Sequence, residues 1–399
     1  MKHSREQLAS EVEALDRSSD VPLYLQLRDI FIRNILEGTW APGTMIPPEV
    51  ELGHQYGVSR GTLRQALAEL EREGFVHRQQ GRGTFVARAE SRWQAKGLPG
   101  RTIAFIVSYV RDSFVVRLLL GVESAARERG FAVLFNHVEN NVEKQAIALR
   151  SAQQQRLAGI ILFPVDSVHI APVVLELAHS LVPFVLVDRY FKGVPTDYVM
   201  SDNFGGGLRA TQHLIELGHR RIGFLLWKDP AVTMEHRQNG YERALAEAGI
   251  PVDPRLICEV AGYPSIDLEG IRRFLLEEPR PTAVFAANDQ LAVAVVKVCR
   301  QEGLRIPYDL ALVGFDDLDM VSHLEVPLTT VAQPIFEIGR TAAEIVIDRL
   351  QGRIRERQQR VLPTTLVVRR SCGAYLRETG QVHDTLVEET DAGSVPRVI

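Results

Sequence analysis

The sequence predicts a two-part α/β chain: a small N-terminal helical unit closed by a hairpin, then a long parallel α/β unit built in two similar rounds. Three observations carry that expectation. Residues 59–86, SRGTLRQALAELEREGFVHRQQGRGTFV, set a capped amphipathic helix directly before two short strands. From Arg101 onward, short apolar runs alternate with helical patterns, as in a parallel sheet covered on both faces. At 399 residues the chain is also too long for one ordinary domain.

The N-terminal elements follow in order. Leu23, Leu27, Ile30, Phe31 and Ile35 recur at helical spacing, and Gly38 ends that helix. Pro42-Gly43 turns the chain, and Pro47-Pro48 opens a short helix through Tyr56. Gly57 and Val58 make a tight turn into the next helix, where the Ser59 hydroxyl can accept from a free first-turn N–H. Leu63, Ala66, Leu67 and Leu70 form its apolar stripe, while Arg60, Thr62 and Arg64 lie off that stripe near its N-terminal end. Gly74 suits the left-handed position after the helix. Phe75–Gln79 and Thr84–Ala87 read as strands, with Gln80, Gly81, Arg82 and Gly83 at the tip. A capped helix and a hairpin recur in many folds. The two preceding helices and the glycine turn select the winged helix-turn-helix, which presents its third helix and its wing to duplex DNA.

The formal net charge of −4 does not favour nucleic acid, so any basic surface must be local. Between Gly57 and Arg88 six arginines (Arg60, Arg64, Arg72, Arg78, Arg82, Arg88) face three glutamates, a local excess of the right sign. The segments PLYLQLRDIFIRNILEGTWAPGTMIPPEVELGHQYGVSRGTLRQALAELEREGFV and RQQGRGTFVA resemble the DNA-binding domain of the GntR family of bacterial regulators, from about Val21 to Arg88. The resemblance implies that Ser59, Arg60, Thr62 and Arg64 contact phosphates and base edges and that Gln80 and Gly81 reach the minor groove. Arg78, Arg82 and Gly83 complete the expected DNA-binding set. Val50 departs from the pattern, since many members carry an arginine there.

Residues 89–100, AESRWQAKGLPG, read as a linker. Beyond it, Ile103–Val107, Ala132–Phe135, Ile160–Phe163 and Phe184–Val187 read as buried strands, with helical patterns at 114–129, 142–156 and 170–181. A second round follows: strands Ile222–Leu226, Leu256–Val260, Ala283–Ala286 and Leu310–Phe315, with helices at 235–248, 266–277 and 288–302. Gly205-Gly206-Gly207 precedes an apolar helix and reads as a crossover turn and helix start rather than a phosphate cradle. Two rounds predict two similar subdomains with a cleft between them.

Open parallel sheets bind ligands beyond the carboxyl ends of their strands. At those ends the sequence puts Tyr109, Asp112, Phe114, Asp188, Tyr263, Asp289 and Asp316. Carboxylates accept from hydroxyl pairs and aromatic faces stack on sugar C–H groups, so the set suits a neutral polyol. Any one aspartate after a strand can equally be a helix cap, and Asp289 is the plainest instance.

The stretches HLIELGHRRIGFL, RQNGYERALAEAGI, PTAVFAANDQLAVAVVK, LRIPYDLALVGFDD and PLTTVAQPIFEIGRTAAEIVIDRL are similar to the effector domain of the LacI/GalR family, whose fold is that of periplasmic sugar-binding proteins. That similarity covers about Arg101 to Gly373. It implies that Asp188, Arg237, Tyr263 and Asp289 line an effector pocket, with Asp112 and Phe114 in the stretch after the first strand. Asp112-Ser113 departs from the Asn-Pro that many members carry there. Arg237 and Asp289 are expected to follow strand ends and to hold the effector from opposite sides of the cleft. The combination of the two domains resembles the arabinose-repressor type of regulator, which implies a pentose or a related sugar.

The expected organisation is a DNA-binding domain over 20–88, the linker 89–100, an effector-binding and dimerisation domain over 101–375, and a flexible tail over 376–399. The expected partners are a pseudo-palindromic operator duplex, a small effector such as a monosaccharide, and a second copy of the chain. No cofactor or metal is expected: Cys258, Cys299 and Cys372 lie far apart, and no third ligand joins His213 and His219. The N-terminus has no apolar core, so no signal peptide is expected; no run of 18 apolar residues predicts a membrane span, and a cytoplasmic location follows. An α/β enzyme acting on a sugar or nucleotide is the alternative, but the chain carries no Gly-x-x-x-x-Gly-Lys-[Ser/Thr] loop and no Gly-x-Ser-x-Gly elbow. A transport binding protein would have no use for the winged helix.

Overall fold

Three helices and a hairpin form the N-terminal unit in the computed structural model: α1 (Leu23–Leu36), α2 (Glu49–Tyr56), α3 (Arg60–Arg72), β1 (Val76–Gln79) and β2 (Gly83–Val86). The structure describes residues 15–17, 21–36, 39–72, 75–79, 81–87, 101–110, 112–165, 169–178, 180, 182–228, 231–261 and 266–378. Gly38, Gly74, Gln80, Tyr263, the linker and the tail beyond Glu378 lie outside them. Leu27 and Phe31 of α1, Leu52 of α2, and Leu63, Leu67 and Leu70 of α3 are fully buried against one another. The expected stripe of the third helix is therefore the core face. The Ser59 Oγ accepts from the Thr62 N–H at 3.1 Å, which is the expected cap.

The wing pairs antiparallel, with Val76 opposite Val86 and Gln79 opposite Gly83. Gly81 (φ 75°) and Gly83 (φ 120°) take backbone conformations that residues other than glycine rarely adopt. Gly83 belongs to the second strand rather than to the tip. The chain before α2 adds a third rung, because Val86 donates to the Thr44 carbonyl and Ile46 to that of Thr84, both at 2.9 Å.

The remaining elements form two six-stranded sheets. The first has the order β4 (Ala132–His137), β3 (Thr102–Val107), β5 (Gly159–Phe163), β6 (Phe184–Val187), β7 (Asp197–Ser201), with β13 (Gln359–Leu362) at the edge. Helices α4 (Ser113–Glu128), α5 (Val142–Gln154) and α6 (Ala171–Ala178) connect its strands. The second has the order β9 (Ile257–Val260), β8 (Ile222–Trp227), β10 (Ala283–Ala286), β11 (Ala311–Asp316), β12 (Thr329–Ala332), with β14 (Thr365–Val367) antiparallel to β12 at its edge. Its helices are α7 (Asn203–Glu216), α8 (Val232–Glu247), α9 (Leu268–Leu276) and α10 (Asp289–Glu302). Helices α11 (Ile335–Leu350) and α12 (Ala374–Glu378) follow, so regular structure continues past Tyr375 into the segment expected to be tail.

Each sheet has the same second-first-third-fourth-fifth strand order, which puts a topological switch between its first and third strands. By contacts the chain divides into one unit of Met1–Val110, Leu118–Val199 and Gly339–Arg360 and another of Arg111–Arg117, Met200–Ile338 and Val361–Ile399. The expected repetition of one subdomain plan is present in the topology. Among the described residues no helix is long and apolar enough to cross a membrane.

The glycine run is the expected helix start, though it lies inside the helix rather than in a turn before it. Gly205, Gly206 and Gly207 are buried in the first turns of α7. A Cβ built on Gly207 would overlap the backbone of Arg237, and one on Gly240 would overlap the backbone of α7. The two helices therefore touch backbone to backbone. An alanine in place of a helical glycine ordinarily gains about 0.5–1 kcal/mol. We expect the opposite for Gly207→Ala, a loss of about 1–3 kcal/mol from overpacking, read as a lower calorimetric midpoint. A variant that melts at or above the parent temperature would mean that α7 and α8 are free to separate.

Candidate functional site

On the winged helix the residues singled out by sequence cluster on the exposed side of α3 and the wing. Arg60 and Arg64 are exposed, as is Arg82 at the wing tip. Thr62 is half-buried, and its hydroxyl is 2.9 Å from that of Ser59. The Arg64 Nε donates to Glu49 Oε2 at 3.0 Å. Arg78, from the wing, lies 3.9 Å from the other oxygen of Glu49 and 3.7 Å from Glu71. One carboxylate at the start of α2 thus stands between an arginine of the third helix and an arginine of the wing. Sequence reasoning did not assign Glu49 a role; its place fifteen residues before Arg64 carries no periodic signal.

In the first α/β unit the carboxyl ends of β3, β5 and β6 gather a polar and aromatic group. Asp188 directly follows β6 at φ 69°, a left-handed conformation unusual for aspartate, and its side chain is buried. Its Oδ2 is 3.4 Å from Arg189 Nε. The Arg189 guanidinium lies 5.2 Å from the centre of the Phe163 ring, and the Tyr109 ring is 5.5 Å from the same ring. The Ser108 hydroxyl, at the end of β3, is buried without a hydrogen-bond partner.

In the second unit the centre is Arg237, which is 3% exposed. Its Nε donates to Asn203 Oδ1 at 2.8 Å and its Nη1 to the Ala287 carbonyl at 2.5 Å. Nη1 is 3.6 Å from Asp316 Oδ1, and the guanidinium lies 3.7 Å from the centre of the Phe315 ring. Asp316 ends β11 with φ 120°, and Asp317 follows at φ 55°. Gln333, after β12, donates to Asp316 Oδ1 at 2.6 Å, while its own buried Oε1 has no partner. Burial pushes the Asp316 carboxyl well above the usual range, with Arg237 pulling the other way.

Asp289 is wholly buried at the first position of α10. The helix cap is its neighbour: Asn288 Oδ1 accepts from the Leu291 N–H at 3.0 Å. Asp289 accepts instead from the Thr330 hydroxyl at 2.6 Å and the Leu318 N–H at 2.9 Å. Both of its oxygens are thereby committed to the loop after β11 and to β12. Burial raises its carboxyl to about 7, against those two hydrogen bonds. Asp112 caps α4 through the Phe114 N–H (2.9 Å) and accepts from Gln290 Nε2 at 2.5 Å, and Phe114 is buried.

Two expectations need correction. Arg237 does not follow a strand: α8 begins at Val232, so the arginine lies in its second turn and is presented by a helix. Nor do Arg237 and Asp289 come from opposite walls, since both belong to the second unit together with Asp112, Phe114 and Asp316. Tyr109 and Asp188 belong to the first unit, and Tyr263 lies outside the described residues. Asn203 and Gln333 were not anticipated. Gln333 follows a four-residue strand, TTVA, that is too short and too polar to be read from pattern.

The raised carboxyl of Asp289 has a stability consequence. Between about pH 4 and 7 the folded chain holds a proton there that the unfolded chain has lost. Its contribution is therefore complete below about pH 4 and disappears as pH rises through 7. Asp289→Asn, which resembles the protonated acid, should gain stability relative to the parent over that interval. Urea unfolding of both proteins at pH 4.5 and 7 measures this, and a pH-independent difference would refute it.

Comparison with known proteins agrees with this architecture. Residues 23–86 match the model for bacterial regulatory proteins of the gntR family, and residues 211–372 match that for the periplasmic binding protein-like domain. The arabinose metabolism transcriptional repressor of Geobacillus stearothermophilus is 34% identical over 344 residues, covering 84% of this chain and 93% of that one. The solved structure of the transcriptional regulator CelR in complex with cellobiose has a TM-score of 0.62 at 30% identity, over 82% of this chain and 100% of that one. A LacI family regulator from Enterococcus faecium with bound ribose has a TM-score of 0.59 at 28% identity, over 68% of this chain and 98% of that one. The chain therefore belongs to the gntR family of bacterial regulatory proteins, in the group that joins this winged helix to a periplasmic binding protein-like domain.

Proposed function

We propose that this chain is a sugar-responsive transcriptional repressor that binds operator DNA through its winged helix and is released by a small sugar. The carrying observation is the pairing, in one chain, of an arginine-bearing winged helix with a buried arginine, carboxylate and amide at the carboxyl edge of a parallel sheet. Relatives named as arabinose repressors and solved structures holding cellobiose or ribose support a sugar as the effector, which we read as a monosaccharide. The chain acts by binding rather than by turnover, in the cytoplasm where operator DNA is.

Ser59, Arg60, Thr62, Arg64, Arg78, Gln80, Gly81, Arg82 and Gly83 are the proposed DNA contacts. Tyr109, Asp112, Phe114, Asp188, Arg237, Tyr263 and Asp316 are the proposed effector residues, and the unpartnered atoms of Ser108 and Gln333 favour adding both. Asp289, with both oxygens engaged, serves the site by holding the loop that carries Asp316. By linkage, a sugar loosens DNA only if it prefers the conformation that fits DNA poorly.

The test is a double dissociation. Duplexes selected by the protein from a random-sequence pool supply the operator, and a thermal-shift panel of pentoses, hexoses and disaccharides supplies the sugar. Arg60→Ala should lose specific DNA binding and keep the sugar-induced shift. Asp316→Asn should keep DNA binding, with the sugar's affinity falling about ten- to a hundred-fold for one lost charged hydrogen bond. Full operator affinity of Arg60→Ala at moderate salt would refute the docking, and a panel without any shift would refute the effector class.

We read the regulator as a homodimer, because two-fold operators mirror two-fold proteins. Val116 and Leu120, one turn apart on α4, are both exposed and supply an apolar face to cover. Light scattering at micromolar concentration should give twice the chain mass, and a monomer with and without DNA would overturn this reading.

A further inference from the structure

Immediately before the winged helix, a short segment folds onto it. Leu15 packs against the apolar core of the three helices. The Asp16 N–H donates to Gln26 Oε1 at 3.0 Å, and Gln26 Nε2 donates back to the Asp16 carbonyl at 2.9 Å and to the Val21 carbonyl at 2.8 Å. Gln26 is on α1, so this pair of hydrogen bonds ties the segment to the first helix. Arg17 then reaches forty residues ahead: its Nη2 donates to the Gly57 carbonyl at 2.6 Å.

Gly57 is a demanding point in the unit. It ends α2 in the left-handed conformation, φ 62° and ψ 36°, and donates to the Gly53 carbonyl. Two residues later Ser59 caps α3. The peptide between Gly57 and Val58 therefore sets the direction of the third helix relative to the second. The last carbonyls of a helix have no intrahelical partner, and the helix dipole makes that end negative. A guanidinium there satisfies a carbonyl and complements the dipole at once. The glycine is also crowded by it, since a Cβ on Gly57 would lie 3.3 Å from Arg17 Nη2.

We propose that Leu15–Arg17 is a strap belonging to the DNA-binding unit and that Arg17 is a positioning residue for operator recognition, fixing the Gly57 turn that aims α3. The proposal rests on the reading of α3 as the DNA-contacting helix. It extends the DNA-binding domain upstream of the first helix by a segment with no helical or strand signal of its own. Arg17 acts through the turn; the operator contacts belong to α3 and the wing.

The test uses the full chain, its selected operator duplex and a scrambled duplex of equal composition. Arg17→Ala should weaken operator binding about five- to ten-fold, less than a directly lost charged contact because Arg17 is exposed and acts through the turn, and leave the scrambled duplex unaffected. The slope of affinity against salt should stay unchanged, because no phosphate contact is lost. Arg17→Lys, which keeps a cationic donor, should recover to within about two-fold of the parent. Removal of residues 1–14 should be tolerated, and removal of 1–17 should reproduce Arg17→Ala. Parent-like operator affinity for Arg17→Ala would overturn the proposal. So would a salt slope lower by about one phosphate, which would make Arg17 a direct contact. Arg60→Ala separates the two levels: if it too binds normally, the docking of α3 is wrong, and if it alone fails, only the strap is.

Discussion

A guanidinium taken out of water organises the second α/β unit. An isolated buried cation costs several kcal/mol, and removal of one partner from such a pair costs about 3–5 kcal/mol. Arg237 is offset by groups from three elements: Asn203 at the start of α7, the Ala287 carbonyl after β10, and Asp316 with the face of Phe315 at the end of β11. Each must arrive within hydrogen-bonding, ion-pair or ring-contact distance, so the arginine sets where these ends can lie. The glycine run follows from the same constraint. The Phe315 ring occupies the space beside Gly206, where a Cβ would come within 2.6 Å of Cε2. Gly207 and Gly240 let α7 approach the helix that carries the arginine. A polar site thereby depends on the absence of side chains one layer behind it.

The strand-end loop carries the strain. Asp316 and Asp317 both have positive φ, a conformation that costs about 1–3 kcal/mol at each non-glycine residue. Such a loop persists only when its neighbours over-determine it. Asp289 supplies that restraint by accepting the Leu318 N–H just beyond the strained pair, and Arg369 holds the Asp317 carboxylate at 2.7 Å. Gly314 makes room, because a Cβ there would overlap Asp289 itself. In the first unit Asp188 repeats the motif in smaller form, a left-handed aspartate at a strand end beside an arginine. Strain of this kind is compatible with the proposed effector edge, and it is visible only in backbone angles.

Much of this architecture is legible in the sequence, and the limits have physical causes. Central strands such as Phe184–Val187 and Ala283–Ala286 are continuous apolar runs and were read with their observed bounds. Asp197–Ser201, Thr329–Ala332 and the edge strands Gln359–Leu362 and Thr365–Val367 escaped, because polar residues interrupt their short apolar runs even where Val199, Met200 and Val331 are buried. Thr330 is the clearest example, a wholly buried residue whose hydroxyl belongs to Asp289. The candidate site divides in the same way. Aspartates stand out at strand ends, so Asp289 and Asp316 were visible by type, while Arg237 was reached only through the family resemblance; none of their roles was visible. Capping preference pointed to Asp289, whereas the structure gives the cap to Asn288, and only the packed partners show the difference.

The proposed DNA-facing side follows different physics, because its charges stay in water. Arg64 is tied to Glu49, and Arg78 lies between Glu49 and Glu71. Exposed ion pairs of this kind are worth about 0–1 kcal/mol, so exchanging a carboxylate for a phosphate or a base edge costs little. The pairs nevertheless narrow the conformations of two long side chains before any partner arrives. They also lower the net positive charge of the face, in keeping with a chain whose overall charge is −4. Non-specific affinity scales with the phosphates neutralised, and a face that offsets its own arginines is weak toward arbitrary duplex. Discrimination then falls to the base-edge contacts, each good bidentate pair being worth about 1–3 kcal/mol. On the proposed docking, modest local charge and pre-held arginines favour the matching sequence over DNA in general.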